Sequence, residues 1–415
     1  KEMELGLVPM ITSKAPLRIP FGLRIRKKRA QKDPRKYSHI SPMKELNKST
    51  PVNYNSGKKN RLLAFINRLF LSPGVNLLVA MVIALLVPFV LSWAFLRRKL
   101  PHFSGICQWM DFKENLPEFI RKKPPHRKTL YKRNEDSFDK KIARELKTFV
   151  KDEKLVVVVT DEDEYKIPRN ICDVNVQSQY GGMISDAFIK QWRERQDFTN
   201  VEITCTAGMT GEDLAEDMFS RPATWDTDFG KYDRSIHYLI KISLMYYVFI
   251  IFCFGTLKAN HYELSDYTNT LTFTFEQNEY LNNLKWVVYN TWWAHAKTEI
   301  FVATLYGKTF SGDWCTLLFN CLLTAFFLCL VPSHFDCWNW FARVMGDDSN
   351  NNIPEEHMLT TINILSFIGM ELEIEARSPC FQTYNSQLAC IDKNGHAFLT
   401  PKDKLLVAKQ FFVPL

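Results

Sequence analysis

From Leu69 to Leu96 the chain carries no charged residue, and the run "VNLLVAMVIALLVPFVLSWAFL" fills positions 75 to 96. Nothing else in the sequence limits the fold so tightly, because an uncharged helix of this length can cross about 30 Å of hydrocarbon. Arg61 and Arg68 stand before it, Arg97, Arg98 and Lys99 follow it, and Trp93 is placed for an interfacial ring. Pro88 is tolerable in a helix surrounded by lipid. The expectation is a transmembrane helix, the alternative an unusually apolar core helix. Its position in the chain and its basic far flank disfavour a signal peptide. Basic residues on both sides leave the orientation open.

Two later runs imitate it, "LMYYVFIIFCFG" at 244–255 and "CTLLFNCLLTAFFLCLVP" at 315–332. With both in lipid the chain would be a multi-pass membrane protein. Each is shorter or more polar than the first, the second containing Asn320 and Thr324, and each follows an acidic cluster closely. Helices buried on all sides in a large domain read the same way.

The remainder has enough apolar content, 46% over 415 residues, for a real core. The net charge of +8 is unevenly spread. Residues 1–68 form a basic arm that includes "RIRKKRAQKDPRK" at 24–36, expected to be flexible and suited to nucleic acid or anionic lipid, or to solubility alone. Residues 69–99 are the anchor. A basic linker spans 100–134, with "RKKPPHRKTLYKR" at 121–133 expected to be extended. The globular part is 135–415. Ten cysteines occur singly, without a C-x-x-C pair, and read as reduced thiols rather than as a zinc site or a disulfide framework.

Within the globular part, "VMGDDSNN" at 344–351 sets Asp347 beside Asp348 in a segment of turn formers. A turn or helix cap explains the pair blandly. A bound multiply charged cation explains it better if other acids converge there. Candidates precede it. In "DFGKYDRSI" at 228–236, Asp228 closes a short strand and Asp233 stands five residues on. In "SGDWCTLLFN" at 311–320 a Ser-Gly pair leads into a helix whose Thr316 and Asn320 share a face. In "KDEKLVVVVTDEDEYKIPRNI" at 151–171, basic residues flank an apolar strand. These parts suit nucleotidyl transfer. Two magnesium ions about 3.5–4 Å apart can stabilise the attacking and leaving oxygens of a displacement at phosphorus. They need carboxylates from separate strands, with substrate phosphates completing their shells.

In order and spacing these segments resemble the RNA-dependent RNA polymerases of positive-strand RNA viruses. Motif A resembles Asp228-x4-Asp233, motif B Ser311-Gly312-x3-Thr316-x3-Asn320, and motif C Gly346-Asp347-Asp348. A motif F-like segment precedes them with Lys151, Glu153, Lys154 and Arg169, and a motif E-like stretch follows at 384–406. The style is closest to alphavirus-like and tombusvirus-like replicases. The resemblance implies Asp228 and Asp347 as principal metal ligands, with Asp348 assisting near the primer end. It implies Asp233 and Asn320 as readers of the ribose 2′-hydroxyl, and Ser311 and Gly312 as a mobile loop against template and incoming base, followed by Thr316. Lys151, Lys154 and Arg169 would line the nucleotide channel and offset triphosphate charge. The cofactor implied is Mg²⁺, with Mn²⁺ as a substitute.

Departures from the family pattern are a long gap between Asp233 and Ser311, the acidic run 161–164 inside the basic segment, and a motif D region offering only Arg377 as proton donor. The expected fold is α/β (α+β): a right-hand polymerase with an antiparallel palm sheet, helical fingers and a reduced or truncated thumb, preceded by the transmembrane helix. The partners implied are RNA template and primer, ribonucleoside triphosphates, a host membrane at its cytoplasmic face, and other replication proteins. Rivals are a non-catalytic membrane-anchored RNA-binding scaffold, the multi-pass membrane protein, and a reverse transcriptase, which Asn320 opposite Asp233 disfavours.

Overall fold

The computed structural model describes residues 10–11, 24–25, 49–54, 58–70, 76–95, 112–123, 125, 128, 145–150, 155–158, 170–174, 181–194, 202–230, 232–249, 286–297, 301–335, 337 and 339–402. Lys151, Lys154, Arg169, the run 161–164 and residues 250–285 lie outside them.

The central sheet has five strands, β1 (Glu202–Cys205), β2 (Trp225–Gly230), β3 (Phe341–Met345), β4 (Asp348–Asn351) and β5 (Glu371–Ala376). Their order is β5-β2-β4-β3-β1. Neighbours are antiparallel except β3 with β1, so the sheet is mixed rather than wholly antiparallel. The two acid-bearing segments stand on adjacent strands, β2 and β4. Side chains alternate across a strand, and the alternation sorts the faces. Phe229, Ala342 and Val344 enter the main core, while Asp226, Asp228 and Arg343 point the other way.

Helices α1 (Leu77–Phe95), α2 (Gly182–Glu194), α3 (Gly211–Ser220), α4 (Tyr238–Met245), α5 (Thr316–His334) and α6 (Glu355–Phe367) surround the sheet. In α5 every position from Leu318 to Pro332 is buried. That is what an all-round apolar helix needs when packed on a sheet and other helices. The multi-pass reading required 315–332 in lipid; α5 is instead the central core helix. Arg343 is fully buried on the opposite face, where it donates to the Asp217 carboxylate, to the carbonyls of Asp217 (2.6 Å) and Arg221 (2.8 Å), and to Asn350 Oδ1 (3.2 Å). A guanidinium buried with that many acceptors fastens α3 to the sheet.

A small sheet of β6 (Thr383–Tyr384), β7 (Gln387–Ile391) and β8 (Ala397–Pro401) covers the motif E-like stretch. Its Tyr384, Ala389 and Ala397 pack on Leu214, Ala215 and Met218 of α3. A second five-stranded sheet combines Arg24–Ile25, Phe301–Tyr306, Trp293–Lys297, Glu145–Val150 and Asn170–Val174.

Three stretches that the sequence sets apart from the globular part carry residues that pack on it. The arm 1–68 is not uniformly flexible: Ser49–Val52 pair with Leu155–Val158, and Lys58–Phe65 is a helix. Leu62, Phe65, Ile66 and Leu69 bury against Ala294, Leu305 and Phe310. The linker 100–134 contains the helix Phe112–Arg121, whose Phe119 and Ile120 join the main core. The helix of the expected anchor also packs on the body. Ala80, Ile83, Val87, Leu91, Ala94 and Phe95 of α1 belong to that same core. In the first two, scattered apolar residues inside basic stretches gain more from the globular core than their charged neighbours lose by staying at its surface; in α1 it is one face of an apolar run that the core covers.

Candidate active site

Asp228 lies near the end of β2 and is exposed; Asp348 opens β4, and Asp347 occupies the turn between β3 and β4. Ser349 pairs with Thr227, so continuing the register by one residue sets Asp348 across from Asp228. On the other side, Glu373 of β5 is directly opposite Asp228. Three carboxylates therefore run in a row across three strands.

Gly346 makes the turn possible. Its φ of +71° lies in the left-handed region that favours glycine, and a tight turn between β3 and β4 needs it. Helix α5 holds the turn from beneath. Cys321 Sγ accepts from the Gly346 amide at 3.1 Å, and the Thr324 hydroxyl donates to the Gly346 carbonyl at 2.8 Å. The Tyr232 hydroxyl lies 3.3 Å from Thr324 Oγ1, joining the turn to the segment that carries Asp233.

Asn320 sits on α5 one turn before Thr324. Its Nδ2 donates to Asp233 Oδ1 at 3.3 Å, and its own Oδ1 is buried without a protein partner among the described residues. The Ser311–Gly312 loop precedes the helix, exposed at its tip, with Gly312 at φ +93°. Its flanks are fixed. Thr316 Oγ1 donates to the Phe310 carbonyl at 2.6 Å, and the Asp313 carboxylate accepts from the Trp314 amide at 2.8 Å. The buried Lys241 donates to the Lys308 carbonyl and stands 5.8 Å from the Phe310 ring.

One cleft of about 910 Å³ is lined by every sequence-predicted residue that is described: Asp228, Asp233, Ser311, Gly312, Thr316, Asn320, Asp347 and Asp348. Residues 115 positions apart thus share one solvent space, from Asp233 to Asp348. Lys151, Lys154 and Arg169 lie outside the described residues.

The cleft gathers several carboxylates, and Asp348 feels the charge of its neighbours. Burial, then the charges of Asp347, Asp228 and Asp226, push Asp348 up to about 7. Carboxylate oxygens in that state suit a hard divalent cation, which would lower the repulsion. Among the described residues no three His, Cys, Asp or Glu side chains are grouped to hold a metal ion; an ion beside these acids would need further oxygens, which substrate or water could supply.

Arg377 is not free for proton donation. It is bound to Asp226 Oδ2 at 2.6 Å and to Glu375 Oε2 at 2.5 Å, with its side chain only 8% exposed. Sequence reasoning missed Glu373, Cys321 and Lys241. The signal for Glu373 was present in "ELEIEA", where alternation places Glu371, Glu373 and Glu375 on one face.

No family model matches the chain. No curated protein matches it. Among solved structures it is similar to a Sicinivirus 3Dpol RNA-dependent RNA polymerase, at 10% identity and a TM-score of 0.47, over 66% of this chain and 56% of that one. The chain thus spans little more than half the length of that polymerase. A likeness of this degree says nothing by itself of what the chain does.

Proposed function

We propose that the chain is an RNA-dependent RNA polymerase, adding ribonucleotides to the 3′-end of an RNA primer on an RNA template and releasing pyrophosphate. What carries the reading is the convergence of Asp228, Asp347 and Asp348 in the same cleft as the Asn320–Asp233 pair. Magnesium bound by Asp228 and Asp347, with Asp348 alongside, would supply charge stabilisation for in-line displacement at phosphorus. The chain's own groups do the rest. Asn320 Oδ1 is a buried acceptor suited to a hydroxyl donor, and the bond from Nδ2 to Asp233 fixes the orientation of the amide of this cleft-lining residue. A reader of a sugar hydroxyl needs this pairing, and a reverse transcriptase has no use for it. Thr324 and Cys321 hold the Gly346 turn, and so the position of Asp347. Ser311 and Gly312 present a loop tip to template and incoming base, on flanks fixed by Lys241, Asp313 and Thr316.

Lys151, Lys154 and Arg169 would offset triphosphate charge. The setting proposed is the cytoplasmic face of a host membrane, in company with further replication proteins. A non-catalytic RNA-binding scaffold has no use for a row of carboxylates that repel each other. The test is extension of an annealed oligouridylate primer on polyadenylate with labelled UTP and magnesium. Elongated product supports the polymerase; RNA binding without extension favours the scaffold.

A further inference from the structure

Helix α1 has two faces that the sequence could not distinguish. One is buried in the body. Val87, Leu91 and Ala94 have no exposure, the Ser243 hydroxyl donates to the Ala84 carbonyl, and Tyr247 OH donates to the Leu91 carbonyl at 3.2 Å. At the start of the helix, the Asn76 amide donates to the Phe367 carbonyl at 3.3 Å. The other face is bare. Leu78 is 70% exposed, Leu85 68% and Phe89 72%, with Met81 and Val82 about half exposed. These positions repeat every three to four residues along a helix about 28 Å long. The bare stripe continues into a groove of about 610 Å³, where Leu78, Val82 and Leu86 face Leu330, Phe335 and Ile364. Phe335 and Phe367 are themselves more than 60% exposed.

We propose that this stripe is a monotopic membrane surface: α1 lies in the plane of an anionic bilayer with its outer face among the acyl chains, and does not cross it. The inference refines the membrane attachment expected from the sequence and holds whether or not the acids perform polymerase chemistry. A crossing helix would be ringed by lipid, whereas one face of α1 is buried from Ala80 to Phe95 and is hydrogen-bonded at Ala84 and Leu91 to α4 and the segment after it. To span, it would carry α4 and α5 to bilayer depth, and with them Lys241 and the Asn320–Asp233 pair. In-plane seating buries the stripe and leaves the cleft in water.

Charge selects lipid over a second copy of the chain. Between Glu45 and Asp111 there is no acidic residue, while Lys58, Lys59, Arg61 and Arg68 precede the helix and Arg97, Arg98 and Lys99 follow it. Anionic headgroups complement such flanks at both ends. Two copies of α1 packed together, parallel or antiparallel, would bring basic segments against basic segments.

The experiment is flotation of the purified full chain with vesicles of phosphatidylcholine alone or with phosphatidylserine, followed by alkaline carbonate. The parent is expected to float with anionic vesicles, much less with neutral ones, and to be stripped by carbonate. L85E/F89E, with both changes at exposed positions, should keep the parent's thermal midpoint and lose flotation by roughly tenfold or more. Resistance to carbonate would mean that α1 spans. Failure to float, or a solution dimer that the double variant converts to monomer, would remove lipid as the occupant.

Discussion

Asn320 donates to Asp233 across 3.3 Å, and the amide oxygen left over is buried without a protein partner among the described residues. A buried acceptor in that state costs stability unless a ligand satisfies it, which makes it an effective test for a hydroxyl. Asn320→Ala is therefore expected to narrow the preference for UTP over dUTP by about tenfold, mainly by slowing UTP use. Asp228→Ala should abolish use of both. The measurement is the ratio of incorporation efficiencies in folded protein. An unchanged ratio would reduce Asn320 to packing.

Asp348 makes the stability of the protein depend on pH. Its folded-state value, about 7, lies above the ordinary 3.8, so the folded state holds the proton more tightly than the unfolded one. The stability this contributes is fully present below about pH 4 and is lost as pH rises through about 7. In Asp348→Asn that loss is absent. Between about pH 5 and about pH 8, the thermal midpoint of the parent should fall relative to the variant. Magnesium should raise the parent midpoint most at the upper end of that range, where the carboxylate is charged. Parallel curves with and without the ion would contradict the assignment.

Thr324 reaches Gly346 rather than substrate, so its effect should separate from binding. Thr324→Val removes the hydroxyl bonds to the Gly346 carbonyl and to Tyr232, at about 1 kcal/mol of stability. Loosening the turn that carries Asp347 should lower kcat several-fold while KM for nucleotide stays near the parent value. A change confined to KM would place Thr324 at the nucleotide instead.

The acids were legible because short polar motifs in turns keep their chemistry whatever surrounds them. Asp228, Asp347 and Asp348 could be named from residue type and order, and the Asn320–Asp233 pair from the resemblance; one cleft is lined by all five. Glu373 could not, since an alternating acidic strand reads as a solvated face until its register against Asp228 is fixed. Cys321 and Thr324 were hidden in an apolar helix, where only the packing of α5 under the turn reveals their partners. Hydropathy identified α1 and α5 as helices that could enter lipid. It carries no information on which face is covered, and the structure buries α5 on all sides from Leu318 to Pro332 and α1 on one side. The helix 58–65 was masked by its lysines, although Leu62 and Phe65 are fully committed to a core.

The most direct test of the central claim is primer extension by Asp347→Asn beside the parent, with magnesium and labelled UTP. Asp347 is partly exposed in a turn, so the substitution removes a charge from the cleft and little packing. Extension should vanish while the thermal midpoint and RNA binding stay near those of the parent. Extension by the variant at the parent rate would contradict a metal-binding role for the paired acids.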